Sequence, residues 1–325
     1  RLASATAFVN AVLRSAIREG EYDPAADVSD PLQRISISTS HPLWLIQRWA
    51  TGFGLEETEA FAKANNTVPA TAFRVVKNRA NEAEVLEKLV SAGAKLEKSN
   101  VAEGAWRVSG ATSILRELSL AGEIYIQDEA SQLVSQMLNA ECGECVLDLC
   151  AAPGGKTTLI ADRADDKAIV IAADRYEARM ATVIGTTKLH QLKSIKPLLL
   201  DAAHQLPFAR GVFDKVLVDA PCSGTGTLRG NPEIRWRLSP TAIKAFADQQ
   251  KRFLANAAEV LKPCGRLIYS TCSVEREENE EVIGEVIRAD PRFELIRTFR
   301  TWPHTHGCDG FFIADLRLAA AHTRC

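Results

Sequence analysis

From residue 128 onward, short apolar segments alternate with stretches of helical periodicity, and this alternation limits the possible folds most. Five segments have the pattern of buried strands: 146–149, 169–173, 197–200, 215–219 and 266–271. Continuous apolar strands separated by helices predict a parallel sheet covered by helices on both faces. Two later segments, 293–296 and 311–316, are expected to extend that sheet in antiparallel fashion. We therefore predict a Rossmann-like, doubly wound α/β domain over residues 128–325.

The first 127 residues carry two other patterns. Apolar residues spaced by three and four over 1–20 predict an amphipathic helix that ends at Gly20, and 43–49 and 58–65 predict two more helices. From residue 71, strands at 71–77, 105–109 and 123–127 alternate with helices at 82–91 and 114–120, which favours a small ferredoxin-like α+β unit. We expect segment boundaries after residues 28 and 127.

Composition excludes several classes of protein. The 325 residues carry a formal net charge of −2, so any basic binding face must be local. No apolar run approaches the ~18 residues that span a bilayer. Eight cysteines are too sparse for a secreted disulfide framework and favour a cytoplasmic protein. The first residue is Arg1 rather than Met, so we expect the chain to begin inside a longer gene product. We expect no metal at Cys142 and Cys145 or at His304 and His306.

A turn of small residues follows the first predicted strand of the large sheet and precedes a helix. Small side chains let backbone amides approach a ligand at the carboxyl end of a strand, although a close-packed crossover would have the same composition. The turn has neither the GxGxxG nor the GxxxxGK[ST] pattern. Its residues are Cys150, Ala151, Ala152, Pro153, Gly154, Gly155 and Lys156.

Acidic residues end the next three predicted strands. Asp174 lies about 20 residues after the glycine turn, where a carboxylate would accept both ribose hydroxyls of a nucleoside. Asp201 could receive an adenine amino group, and Asp219 ends the following strand. Three such residues in series predict an adenosine-containing cofactor. The missing phosphate fingerprint favours S-adenosylmethionine over NAD or ATP.

Two cysteines, Cys222 and Cys272, each follow a predicted strand end and are expected to face the cofactor cleft. Either could be a buried small apolar residue, as most cysteines are. A methyltransferase acting on carbon 5 of a pyrimidine, however, needs a thiolate. Addition of the thiolate to carbon 6 converts the ring into an enamine that can attack a methyl donor. Asp219 is placed to hydrogen-bond nitrogen 3 and the exocyclic amine.

The motifs around these cysteines resemble those of the RNA cytosine carbon-5 methyltransferases. The similarity rests on 148–156, on Asp-Ala-Pro-Cys at 219–222 and on Ser-Thr-Cys-Ser at 270–273. It implies that Cys272 is the nucleophile and that Cys222 assists release of the methylated RNA. It further implies that the turn 150–156, Asp174, Asp201 and Asp219 bind S-adenosylmethionine. DNA cytosine methyltransferases carry the nucleophile in the Pro-Cys motif, so the Thr-Cys pair favours RNA over DNA.

Further segments, at 40–44, 64–67, 127–131 and 309–312, resemble bacterial members that methylate 16S ribosomal RNA. The similarity implies that 1–28 is the end of a NusB-like helical domain and that 29–127 is an RNA-binding extension. It also implies a monomer that acts on 16S ribosomal RNA. Methylation of another RNA, such as transfer RNA, and a non-catalytic role in ribosome assembly remain alternatives.

Two charged segments lie near the predicted site. Arg229, Arg235 and Arg237 flank an aromatic residue in a loop after the Pro-Cys motif, which predicts phosphate contacts and base stacking. Arg74, Lys77 and Arg79 are expected to extend that surface. Five glutamates between 275 and 281 are interpreted as the solvated start of a helix.

Overall fold

The computed structural model describes residues 3–20 and 23–319, which form two compact units divided between Lys63 and Ala64. The predicted N-terminal helix is confirmed over its described part; Arg1 and Leu2 lie outside the described residues. Its apolar side chains are exposed. The second helix was not predicted from the sequence, although Asp30 caps it and Pro31 is its first residue. The helices of this region are α1 (Ala3–Glu19), α2 (Pro31–Ser38), α3 (Leu43–Phe53) and α4 (Leu55–Ala64).

A four-stranded antiparallel sheet with two helices follows, as the ferredoxin-like prediction requires. Its strand order is β2-β3-β1-β4. The edge strand β2 is mostly exposed and polar, so it lacks the apolar alternation that marks a strand in sequence. The elements are β1 (Thr71–Val75), α5 (Glu82–Ser91), β2 (Lys95–Lys98), β3 (Ala105–Ser109), α6 (Thr112–Leu120) and β4 (Ile124–Ile126).

The rest of the chain forms the predicted α/β domain around a seven-stranded sheet of order β10-β11-β9-β8-β5-β6-β7. Five strands are parallel, while β11 is antiparallel to both β9 and β10. The first half comprises α7 (Glu129–Leu138), β5 (Cys145–Asp148), α8 (Gly155–Arg163), β6 (Ile169–Asp174), α9 (Glu177–Leu189), β7 (Ile195–Leu199) and β8 (Phe213–Asp219). The second half comprises α10 (Ile234–Arg237), α11 (Pro240–Val260), β9 (Leu261–Thr271), α12 (Glu280–Ala289), β10 (Phe293–Arg300), α13 (Pro303–His306) and β11 (Phe312–Leu318).

The core lies on both faces of this sheet. Leu147 and Val216 face one cluster, which α11 closes with residues such as Leu254, whereas Val146 and Leu217 face the opposite cluster. The chain runs outward from β5 in both directions, through β6 on one side and β8 on the other. The carboxyl ends of β5 and β8 therefore flank the topological switch point, where doubly wound sheets bind ligands. No described helix is both long and apolar enough to cross a membrane.

Arg74 ties the small sheet to α8 and is not available for RNA, contrary to the sequence prediction. Its side chain is 2% exposed, with Nη1 3.6 Å from Oδ2 of Asp162 and Nη2 donating to Oγ1 of Thr158. Burial lowers the pKa of Arg74 to about 10. The backbone amides of Lys77 and Asn78 also donate to the Asp162 carboxylate. The small sheet is thus anchored to the helix that follows the predicted cofactor turn.

His190 gives this region a pH-dependent stability. Its ring is fully buried, and neither ring nitrogen has a hydrogen-bond partner in the described structure. Burial, followed by the charges of Arg74 and Arg79, lowers the pKa of His190 to about 3. In the unfolded chain this side chain binds a proton near pH 6.5, so native stability declines as the pH falls from 6.5 towards 3.

We expect this group to reduce the free energy of unfolding by about 2 kcal/mol between pH 7.5 and pH 5. The leucine in the variant His190→Leu cannot bind a proton. The free energy of unfolding of this variant is therefore expected to fall by about 2 kcal/mol less over the same interval. Urea titrations of both proteins at the two pH values measure the difference. Equal losses in the two proteins would contradict the assignment.

Candidate active site

The turn after β5 lies at the switch point and borders a cavity. Gly154 caps α8 with φ of 105°, a left-handed conformation that favours glycine. At Gly155 an added Cβ would lie 2.6 Å from the Tyr125 ring, so only glycine allows this approach. The residues that line the cavity are Tyr125, Ile126, Gln127, Ser131, Cys150, Ala151, Ala152, Pro153, Gly155, Lys156 and Asp219.

The cavity wall formed by Tyr125, Ile126 and Gln127 was not foreseen from the sequence. These residues belong to β4 of the small sheet or directly follow it. Their only sequence signal was proximity to the 127–131 segment. The small sheet therefore contributes directly to the predicted cofactor pocket.

The predicted aspartates occupy three different environments. Asp174 is 3% exposed and accepts hydrogen bonds from the backbone amides of Ala152 and Tyr176, which places it against the turn. Asp201 is more exposed and is 3.3 Å from Nε of Arg175. Asp219 lines the cavity itself.

Lys156 and Asp219 form an ion pair inside the cavity. Nζ of Lys156 is 2.8 Å from Oδ2 of Asp219, while Oγ of Ser270 donates to Oδ1 at 2.6 Å. Burial opposes the charge on Lys156, but the Asp219 carboxylate outweighs it and raises the pKa of Lys156. Lys156 therefore carries a positive charge, and it also interacts electrostatically with Cys272.

The two motif cysteines meet. The Sγ atoms of Cys222, which follows β8, and Cys272, which follows β9, are 3.3 Å apart. The hydrogen bond to Cys272, together with burial, raises the pKa of Cys222 well above its usual range. Cys222 consequently keeps its proton at neutral pH. Two parallel neighbouring strands ending at one edge produce this meeting.

The interpretation of the glutamates at 275–281 as a solvated face is wrong for two of them. Glu275 is 2% exposed and Glu278 is fully buried. Glu278 accepts hydrogen bonds from Ser223 and Ser273, the residues after the two cysteines. In the sequence, an acidic run has the same composition whether it is solvated or buried. The only clue was a serine after each cysteine.

The arginine loop is mostly directed inward, which corrects two of its three predicted RNA contacts. The Arg229 side chain is 5% exposed, donates to the Gly307 carbonyl and pairs with Asp309. Arg235 is also buried and donates to the Asn66 side chain. Arg237 is exposed, and the neighbouring Trp236 is 64% exposed. Both buried guanidiniums hold the loop in place, which leaves Arg237 and Trp236 facing solvent.

Within the described residues, no three or more histidine, cysteine, aspartate or glutamate side chains are grouped so as to hold a metal ion. In the Cys-x-x-Cys segment Cys142 is exposed, while burial raises the pKa of the Cys145 thiol.

Asp148, which lies beneath the turn, is fully buried, and burial raises its pKa to about 7. Its Oδ2 accepts a 2.6 Å hydrogen bond from Thr157.

Comparisons with known proteins identify a family and similar chains. The family described as 16S rRNA methyltransferase RsmB/F matches residues 135–317, and an RsmF/B-like ferredoxin-like domain matches residues 41–115. The probable ribosomal RNA small subunit methyltransferase B of Bacillus subtilis is 36% identical, over 95% of this chain and 73% of its own length.

Two crystal structures are also similar. That of PH0851 is 36% identical with a TM-score of 0.84, and the match covers 91% of this chain and 70% of that one. A methyltransferase homolog protein from Pyrococcus horikoshii is 27% identical with a TM-score of 0.78, and the match covers 90% of this chain and 100% of that one.

Proposed function

The chain belongs to the 16S rRNA methyltransferase RsmB/F family, and on this premise we propose that it methylates carbon 5 of a cytosine in 16S ribosomal RNA. The enzyme is dependent on S-adenosylmethionine. The observation that carries the proposal is the 3.3 Å separation of the Cys222 and Cys272 sulfurs beside the Lys156–Asp219 ion pair. One thiol can add to the base while the second remains available for the release step.

The methyl donor is proposed to bind at the turn 150–156 and the aspartates that follow the neighbouring strands. S-adenosylmethionine supplies an electrophilic methyl group on a positively charged sulfur. Asp174 is proposed to accept hydrogen bonds from the ribose hydroxyls, and Asp201 is proposed to accept a hydrogen bond from the adenine amino group. Small residues of the turn, Cys150, Ala151, Ala152, Pro153 and Gly155, line the cavity and leave space in it for a ligand. Carboxylates at the ends of successive strands suit a ligand that carries hydroxyl and amino donors and a positive charge.

Cys272 is the proposed nucleophile. Its thiolate adds to carbon 6 of the cytosine, and the electron pair of the ring double bond moves to give an enamine, in which carbon 5 is nucleophilic. Lys156 supplies a positive charge that interacts electrostatically with Cys272. Asp219, held by Ser270 and Lys156, is proposed to hydrogen-bond nitrogen 3 and the exocyclic amine. After methylation, loss of the carbon 5 proton restores the double bond as the carbon–sulfur bond breaks.

Cys222 is proposed to assist that release. In the resting protein its hydrogen bond to Cys272 is the main cause of its raised pKa. Once the Cys272 sulfur is bonded to carbon 6 it is a thioether, which is only a weak hydrogen-bond acceptor, so this cause weakens. Cys222 then loses a proton more readily at the step that requires a base.

The RNA is proposed to contact Trp236 and Arg237, which are exposed beside the Pro-Cys loop. An exposed indole offers a stacking surface for an unpaired base, and a guanidinium offers phosphate contacts. We also propose that 29–127 serves as an RNA-binding extension and that 1–28 ends a NusB-like domain. The target cytosine must be unstacked to reach the cavity.

Transfer of tritiated methyl groups from S-adenosylmethionine tests the proposed function. The protein is incubated with unmodified 16S ribosomal RNA and, separately, with transfer RNA, and the labelled nucleosides are identified after digestion. We expect 5-methylcytidine in 16S ribosomal RNA. Labelled transfer RNA alone would assign a different substrate, and label at another atom would overturn the chemistry. Absence of label in both, with RNA bound, would favour a non-catalytic assembly role.

A further inference from the structure

Glu278 joins the loops that carry the two cysteines. Its Oε1 accepts a 2.8 Å hydrogen bond from the Ser223 amide, and its Oε2 accepts hydrogen bonds from Oγ of Ser223 and from Oγ of Ser273, the latter at 2.5 Å. Ser223 and Ser273 directly follow Cys222 and Cys272. One buried carboxylate thus bonds to the neighbours of both sulfurs, although 50 residues separate the two serines in sequence.

The side chain of Gln250 also links Glu278 to the Pro-Cys loop. Nε2 of Gln250, in α11, donates both to Oε1 of Glu278 at 3.2 Å and to the Pro221 carbonyl at 2.9 Å. The Tyr269 hydroxyl donates to the Glu278 carbonyl at 2.6 Å. Glu278 and Gln250 are fully buried, so these hydrogen bonds are not in competition with water.

Asn279 completes the attachment on the Thr-Cys side. Its Oδ1 accepts a 2.6 Å hydrogen bond from Thr271, and its Nδ2 donates to the Ser273 carbonyl at 2.9 Å. Both residues adjoin Cys272. The turn at Glu278 and Asn279 therefore holds the nucleophile loop on both sides, while only Glu278 also reaches the loop of Cys222.

We propose that Glu278 is a positioning residue that sets the distance between the sulfurs of Cys222 and Cys272 by bridging Ser223 and Ser273. Its carboxylate does not touch either sulfur and acts through the two loops. This role rests on the proposed two-thiol chemistry, since the spacing matters only if both thiols act on one base. A misplacement of about 1 Å at a reacting centre can reduce a rate about 100-fold.

The test measures sulfur spacing separately from methyl transfer. Diamide, a dithiol oxidant, takes two hydrogens from a thiol pair and leaves a disulfide, and the Cys222–Cys272 link is quantified by peptide mapping. We expect Glu278→Ala to slow this cross-linking at least about tenfold, because a disulfide requires a narrow geometry. We also expect kcat to fall about 100-fold with KM for S-adenosylmethionine nearly unchanged. Glu281→Gln, an exposed change nearby, is the matched control.

A folded Glu278→Ala protein that cross-links at the wild-type rate would overturn the proposal. If Glu278→Ala does not fold, the double variant Ser223→Ala/Ser273→Ala removes both hydroxyl bridges and leaves the Ser223 amide bond to Glu278. It is expected to slow cross-linking likewise, and an unchanged rate would again be decisive against the bridge. Should the wild-type protein transfer no methyl group yet cross-link faster than the variants, the bridge stands and the proposed function fails.

Discussion

Replacing Cys272 with alanine is expected to abolish methyl transfer to RNA, by at least about 10⁴-fold in kcat, because it removes the sulfur that is proposed to bond to carbon 6. The loop should survive the change. Its backbone is held through the Cys272 carbonyl, which accepts from the Gly226 amide at 2.9 Å, and this bond does not involve the sulfur. Methyl incorporation into RNA under single-turnover conditions measures the loss.

Binding of the methyl donor provides the control for that loss. Calorimetric titration of S-adenosylmethionine should give a Kd for Cys272→Ala close to that of the wild type, since the turn 150–156 is unchanged. The matched variant Cys142→Ala removes an exposed thiol outside the cavity and should retain full activity. Normal turnover by Cys272→Ala would refute the assignment of the nucleophile.

Replacing Cys222 with alanine is expected to block a later step than the Cys272→Ala change does. The enzyme should add to the RNA but fail to release it. The Cys272 sulfur can still add to carbon 6, whereas loss of the carbon 5 proton is no longer assisted. We therefore expect a protein–RNA complex that resists denaturant and accumulates to a large fraction of the enzyme, while wild-type protein shows little. Denaturing gel electrophoresis with labelled RNA measures it.

The double variant Cys222→Ala/Cys272→Ala separates a covalent complex from tight binding. It retains the RNA surface but has no nucleophile, so it should give no denaturant-resistant complex. Equal amounts of complex in the double and single variants would show that the linkage does not pass through Cys272. A Cys222→Ala protein that turns over normally would remove Cys222 from the release step.

The sequence predicted the parts of this protein that depend on local pattern. The inner strands β5, β6 and β8 contain apolar runs at 146–147, 169–173 and 216–218. The cysteines that follow β8 and β9 meet because these neighbouring parallel strands end at one edge. Edge strand β2, by contrast, has no apolar alternation, and its pairing with β3 is decided by tertiary contacts. Local periodicity carries no information about such a strand.

The errors in the site concern charged residues whose partners are distant in sequence. Arg229 pairs with Asp309 and Arg74 with Asp162, each pair separated by 80 or more positions. Without the fold, an arginine in a loop has the composition of a phosphate contact. Glu278 was misassigned for the same reason, because its partner Ser223 lies 55 positions earlier in the sequence.

The contact between Tyr125 and Gly155 means that the boundary expected after residue 127 does not separate two independent modules. One wall of the cavity comes from the final strand of the small sheet, and Arg74 anchors that sheet to α8. A shift of the small sheet would therefore change the shape of this cavity. A chimera in which the small sheet is exchanged for that of a relative would have to keep Tyr125. Without this side chain the cavity would lose part of its wall.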